Sequence, residues 1–109
     1  MEIITYQTEQ GKLPFEEWRD GLSSSDRAAV RMRLNRLLIG NFGDWKTLKN
    51  AHGVCELRIN MGPGYRIYFG KKGGSFVILL TGGGKASQER DIEKAKKYWL
   101  DYQERCHGK

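Results

Sequence analysis

Apolar and polar positions along the chain divide it into seven predicted elements. Residues 2–7, Glu-Ile-Ile-Thr-Tyr-Gln, are rich in β-branched and aromatic side chains and precede any helix signal, so they predict a first strand. Pro14 suits the first turn of a helix. Phe15, Trp18 and Leu22 follow at spacings of three and four, one apolar stripe. Gly21 and the run Ser23-Ser24-Ser25-Asp26 end that helix and cap a second, predicted from Asp26 to Ile39. Its buried stripe is Val30, Leu34, Leu37 and Leu38, and Arg27, Arg31, Arg33 and Arg36 flank it, most simply as a solvated face, or else as contacts for a nucleic acid or an acidic partner segment. Gly40-Asn41 suits its stop, and a loop holds residues 41–53.

Three strand-like runs follow closely: Val54–Asn60, Gly64–Gly70 and Ser75–Thr81. The links Met61-Gly62-Pro63 and Lys71-Lys72-Gly73-Gly74 are too short for parallel crossovers, so the strands should form antiparallel hairpins. Ile92, Ala95, Trp99, Tyr102 and Cys106 then recur at three and four, predicting a helix from about Ala86 to Arg105. The expected order is β-α-α-β-β-β-α. This is a two-layer α+β fold, an antiparallel sheet packed on helices, with residues 1–109 as one domain.

Strand alternation separates the two faces of the sheet. Cys55, Leu57 and Ile59 point one way, with Tyr65, Ile67 and Phe69 on the same side. The other side gathers Glu56, Arg58, Arg66 and Tyr68, which should form an exposed polar face once the apolar side packs on the helices. Two arginines and a tyrosine on neighbouring strands suit phosphate, and Tyr68 could stack on a base or donate from its hydroxyl. The bland alternative pairs one arginine with Glu56 and leaves the other capping an exposed sheet. The run Phe76-Val77-Ile78-Leu79-Leu80 does not alternate, which places it inside the sheet with both faces buried. It leads into Thr81-Gly82-Gly83-Gly84-Lys85. Here three glycines could bring backbone N–H groups to a phosphate beside Lys85, or simply make a flexible turn.

Charge sharpens this picture. The net charge is +6, residues 1–40 are balanced, and the whole excess lies in residues 41–109. Residues 44–85 hold seven basic side chains against Asp44 and Glu56, and Lys46 and Lys49 in the loop join the candidates for RNA contact. A concentrated excess of this kind suits a polyanion, since phosphate contacts release counterions. No apolar run approaches the roughly 20 residues of a membrane span, and no signal region opens the chain, so a cytoplasmic protein without a membrane partner is expected. Cys55 and Cys106 form no CxxC pair and gain no metal-ligand spacing from His52 or His107, so free thiols and no metal are expected. A GxSxG elbow and P-loop spacing are both missing. The sequence calls for no cofactor, and phosphodiester chemistry would rest on cations.

The runs Glu56-Leu57-Arg58-Ile59, Gly62-Pro63-Gly64-Tyr65-Arg66-Ile67-Tyr68-Phe69 and Leu79-Leu80-Thr81-Gly82-Gly83-Gly84-Lys85 carry a family likeness, as do Gln88, Asp91, Ile92 and Ala95. Together they resemble the RelE/ParE toxin superfamily, in particular its phage-derived, HigB-like addiction-module killer proteins. The resemblance implies a ribosome-dependent mRNA endonuclease in which the mRNA 2′-hydroxyl attacks the adjacent phosphate without metal. It implies catalytic roles for Arg58, Arg66 and Lys85. Arg66 would stabilise the phosphorane, Lys85 or Arg58 would assist proton transfer, and Tyr68 would stack or orient. It implies a cognate antitoxin, of helix-turn-helix type, alongside the ribosome and mRNA as partners. Gly84 departs from the pattern, because many relatives carry an acidic residue before the lysine. The superfamily also contains ParE-like inhibitors of DNA gyrase, so the target stays open at the level of sequence.

Overall fold

A computed structural model of the chain describes residues 1–62 and 64–107, with the side chain of His107 left aside. Pro63, in the expected β-turn, lies outside the described residues. In chain order the elements are β1 (Glu2–Thr5), α1 (Pro14–Asp20), α2 (Ser24–Leu38), β2 (Trp45–Thr47), β3 (Cys55–Ile59), β4 (Tyr65–Lys72), β5 (Phe76–Gly83), a 3₁₀ turn (Lys85–Ser87) and α3 (Gln88–His107). Pro14 opens α1 as anticipated. The Ser23 hydroxyl accepts the Asp26 backbone N–H at 3.2 Å, so α2 is capped two residues earlier than the hydrophobic stripe suggested.

Five strands form one sheet in the order β1-β5-β4-β3-β2. From β2 to β5 the chain meanders antiparallel, while β1 adds to β5 in parallel at the far edge. The predicted hairpins are present, and β5 lies inside the sheet with Val77–Leu80 buried. The short β2 was not foreseen. Its three residues lie in a loop without alternation, and their strand character comes from pairing Trp45, Lys46 and Thr47 with Leu57, Glu56 and Cys55.

The two-layer expectation is corrected. Phe15 of α1 and Val30 and Leu37 of α2 pack on Leu57, Ile67, Phe69, Val77 and Leu79. Ala95 and Trp99 of α3 pack on the opposite face, against Tyr68, Ile78 and Leu80. Helices therefore cover both sides of the sheet, and the apolar stripe of α3 is buried by the strands rather than by α1 and α2. Leu38, expected in the buried stripe of α2, is exposed because the contact with the sheet runs through Val30 and Leu37.

The glycines ending β5 set how closely these layers approach. At Gly82 a Cβ would overlap the indole of Trp18 from α1, and at the next residue, Gly83, it would overlap the carboxylate of Asp91 from α3. Both are buried strand residues. Gly82 and Gly83 thus make room for side chains of two helices on opposite faces as part of β5, rather than lying in a turn as either reading of the glycine run had them; only Gly84 lies outside the strand, ahead of the 3₁₀ turn.

Among the described residues, no helix is long and apolar enough to cross a membrane.

Candidate functional site

The site is built on the part of the α3-side face that α3 leaves open. Helix α3 packs mainly over β4 and β5, and its first turn reaches β3 through Gln88, so the open part of that face is the edge carrying Lys46 and the outer end of Arg58. Register places the expected residues together on that face: Lys46 opposite Glu56, Glu56 opposite Tyr68, and Arg58 opposite Arg66. The seven basic residues of 44–85 do not share one surface, however. The Lys71 ammonium sits 4.8 Å from the ring centre of Trp45 and 5.1 Å from that of Phe42, on the side of α1 and α2.

Glu56 organises the cluster. It is completely buried (0% exposed). Its Oε2 accepts from Arg58 Nε at 2.9 Å, and its Oε1 accepts from Gln88 Nε2 at 3.1 Å. Arg66 Nε stands 3.6 Å from Oε1, an ion-pair contact longer than a hydrogen bond. Arg66 also donates from Nη1 to the Gly64 carbonyl at 3.2 Å. The Arg66 side chain is only 13% exposed and that of Arg58 38%, so Arg58 is the more accessible cation. The hydrogen bond to Glu56, followed by its charge, raises the Arg58 guanidinium further above its ordinary range.

Tyr68 departs from expectation. Its ring is 0% exposed beneath α3, so no face is open to stack on a base. Burial, then the nearby charges of Glu56 and Asp91, push its hydroxyl far above the usual tyrosine range. That hydroxyl has no hydrogen-bond partner among the described residues. Strand parity placed Tyr68 on the correct face, but the cover supplied by α3 was invisible in the local pattern.

Lys85 is exposed and opens the 3₁₀ turn, two residues beyond Gly83, the strand partner of Arg66. It therefore lies at the same end of the sheet as the arginines, without a hydrogen bond or ion pair to them among the described residues. An open depression of about 590 Å³ runs past Lys85, Ser87, Gln88 and Arg90 at the start of α3. A second, of about 370 Å³, is bordered by Arg36 of α2 together with Arg58 and Asn60. Lys46 is exposed on β2, and Lys49 is exposed in the turn that follows it.

Sequence reasoning assigned no role to Gln88, Ser87 or Asp91. Ser87 donates to Asp91 Oδ2 at 2.5 Å, and the buried Asp91 fills the space above Gly83. Gln88 and Asp91 belonged to the residues carrying the family likeness, but no helical periodicity links them to a strand carboxylate. Arg33 is also corrected. It is a buried side chain whose guanidinium donates to the Phe42 carbonyl at 3.0 Å and to the Arg58 carbonyl at 3.4 Å, not part of a solvated face. Burial, then repulsion by Arg36, lowers its pKa. Cys55 is buried and Cys106 exposed, both as free thiols. Among the described residues, no three His, Cys, Asp or Glu side chains converge in a way that could hold a metal ion.

Comparison with solved structures places this geometry in a known architecture. A double arginine-to-alanine mutant of the Escherichia coli toxin RelE, in the free state, superposes with a TM-score of 0.58 at 20% sequence identity. The match covers 86% of this chain and 97% of that one. The fold is that of RelE. A Haemophilus influenzae (strain ATCC 51907 / DSM 11121 / KW20 / Rd) protein described as "Uncharacterized protein" is 44% identical over 85 residues, 77% of this chain and 84% of the relative. The chain belongs to one family with that protein. No family model matches the chain.

Proposed function

We propose that the chain is one toxin domain of a type II toxin–antitoxin module, in the HigB-like branch, and that it cleaves mRNA on the ribosome. The observation that carries this reading is the Arg58–Glu56–Arg66 cluster on the open part of a sheet with the RelE fold. In the proposed reaction the 2′-oxygen attacks the adjacent phosphorus as its proton is removed. The P–O5′ bond then breaks, leaving a 2′,3′-cyclic phosphate and a 5′-oxyanion that takes up a proton to become the 5′-hydroxyl, balancing the proton lost from the 2′-hydroxyl. Arg66 and Arg58 stabilise the charge of the phosphorane, for which guanidinium groups are suited by charge and paired donors. Lys85, at the same end of the sheet, assists proton transfer, and no metal takes part. Lys46 and Lys49 hold the RNA backbone electrostatically. The protein acts in the cytoplasm, and its partners are the ribosome, mRNA and a cognate antitoxin of helix-turn-helix type.

The test is a cell-free translation reaction with the purified protein, followed by mapping of mRNA ends. New 5′-hydroxyl ends within translated codons, absent when initiation is blocked, are the expected result. Intact transcripts under active translation would overturn the reading. If the same preparation then inhibited supercoiling by DNA gyrase, the ParE-like alternative would replace it.

A further inference from the structure

Removing a carboxylate completely from water is costly, and a buried ion pair is seldom more stabilising than apolar residues of similar volume. Stability is therefore a weak reason for Glu56 to occupy a fully buried strand position. Its contacts supply a better one. Arg58 and Arg66 face each other directly across β3 and β4, where two cations repel. Glu56 meets both at the same atom, Nε, at 2.9 Å and 3.6 Å. Arg58 is thus held by one edge of its guanidinium, while its Nη atoms have no hydrogen-bond or ion-pair partner among the described residues. Arg66 commits only Nη1, to the Gly64 carbonyl. Gln88, from the first turn of α3, takes the remaining carboxylate oxygen and fixes the rotamer of Glu56 itself.

We infer that Glu56 is a positioning residue: it holds Arg58 by a hydrogen bond at Nε and Arg66 by charge alone, its buried Nε making no hydrogen bond among the described residues, and leaves Nη donors of both for a single phosphodiester, with Gln88 locking Glu56 in place. The inference rests on the nuclease reading for its consequence, but not for its geometry.

Glu56→Gln tests it, because the substitution keeps the shape and removes the one negative charge of the cluster. Loss of positioning lowers kcat roughly 10- to 100-fold, the scale of a misplaced reacting group, while RNA affinity stays equal or tightens. A merely structural role would instead lower cleavage and binding together, in proportion to the folded fraction. A folded Glu56→Gln protein that cleaves at the wild-type rate would overturn the inference. NMR exchange of arginine Nε–H groups in the wild-type protein gives a second arm that needs neither cleavage nor a folded variant. Arg58 Nε–H should exchange at least about tenfold more slowly than that of exposed Arg31. Equal exchange at the two sites would sink the inference. If Arg58 is protected but the wild-type protein cleaves no RNA, the nuclease reading fails and the placement of the guanidinium stands.

Discussion

At the scale of single residues, accessibility divides the labour between the two arginines. Arg66 is largely enclosed and contributes to the fold as well as to the proposed chemistry, whereas Arg58 reaches solvent. Arg66→Ala should therefore abolish mRNA cleavage and also destabilise the protein by about 1–3 kcal/mol. It removes one of the two cations beside a carboxylate that stays buried. Urea unfolding alongside the translation assay checks both halves. An Arg66→Ala protein of wild-type stability would mean that Arg58 and Gln88 alone satisfy Glu56. Strand parity alone implied a harmless truncation at an exposed position. The enclosure of Arg66 depends on Glu56 and the Gly64 carbonyl, neither of which alternation can place.

At the scale of elements, β5 shows both what local pattern conveys and where it stops. The unbroken run Phe76–Leu80 reads correctly as a strand buried on two faces from Val77 to Leu80, because only helices on both sides could cover it, while Phe76 at its start is exposed. The same logic, followed further, would have put α3 on the face opposite α1 and α2. Arg58, Arg66 and Glu56 marked that face as polar and concealed it. The glycines after the run were legible as glycines but not as spacers, since their neighbours, Trp18 and Asp91, come from other elements. Gly83→Ala should cost about 1–3 kcal/mol, because the added methyl must displace Asp91 and the first turns of α3. Thermal unfolding measures this, and a wild-type melting temperature would show that α3 moves freely over β5. Helix α2 was legible from its stripe and cap, yet Arg33 was not. Its spacing, three after Val30 and four before Leu37, lies on the buried stripe as that of Arg31 and Arg36 does not, but its charge read as solvated, and only the fold supplies the carbonyls of residues 42 and 58 that its guanidinium meets.

At the scale of the whole molecule, the excess of positive charge bears on the proposed encounter with RNA more than on its proposed chemistry. Affinity for single-stranded RNA should fall linearly on a log–log plot against salt. Replacing Lys46 and Lys49 together by alanine should reduce the slope by about 1.4, or about 0.7 for each lost phosphate contact. Fluorescence anisotropy across a salt series reads this directly, and an unchanged slope would remove both lysines from the interface. The α3-side core also gives the fold a limit at high pH. Burial, with the hydrogen bond that Tyr6 donates to Asp101 at 2.6 Å, raises the Tyr6 pKa from 10 to about 12. A raised pKa in the folded state means that this contribution is intact below pH 10 and is lost as pH rises through about 12. Tyr68 shifts in the same direction. Unfolding free energy should therefore decline across that window, and Tyr6→Phe should flatten the decline. An equal slope in the variant would assign the loss to other groups.

Across these scales, the sequence by itself determined the elements, the antiparallel hairpins, the two sides of each strand and the membership of Arg58, Arg66 and Glu56 in one face. All of these depend on local periodicity and on links too short to permit another topology. Only the tertiary structure decided that α3 covers Tyr68, that β2 completes the sheet, that Gly82 and Gly83 admit side chains from two helices, and that Gln88 reaches Glu56. All but β2 are contacts between segments well separated in the chain, and β2, though it pairs with nearby β3, is too short for alternation to mark it, so neither propensity nor periodicity carries the information.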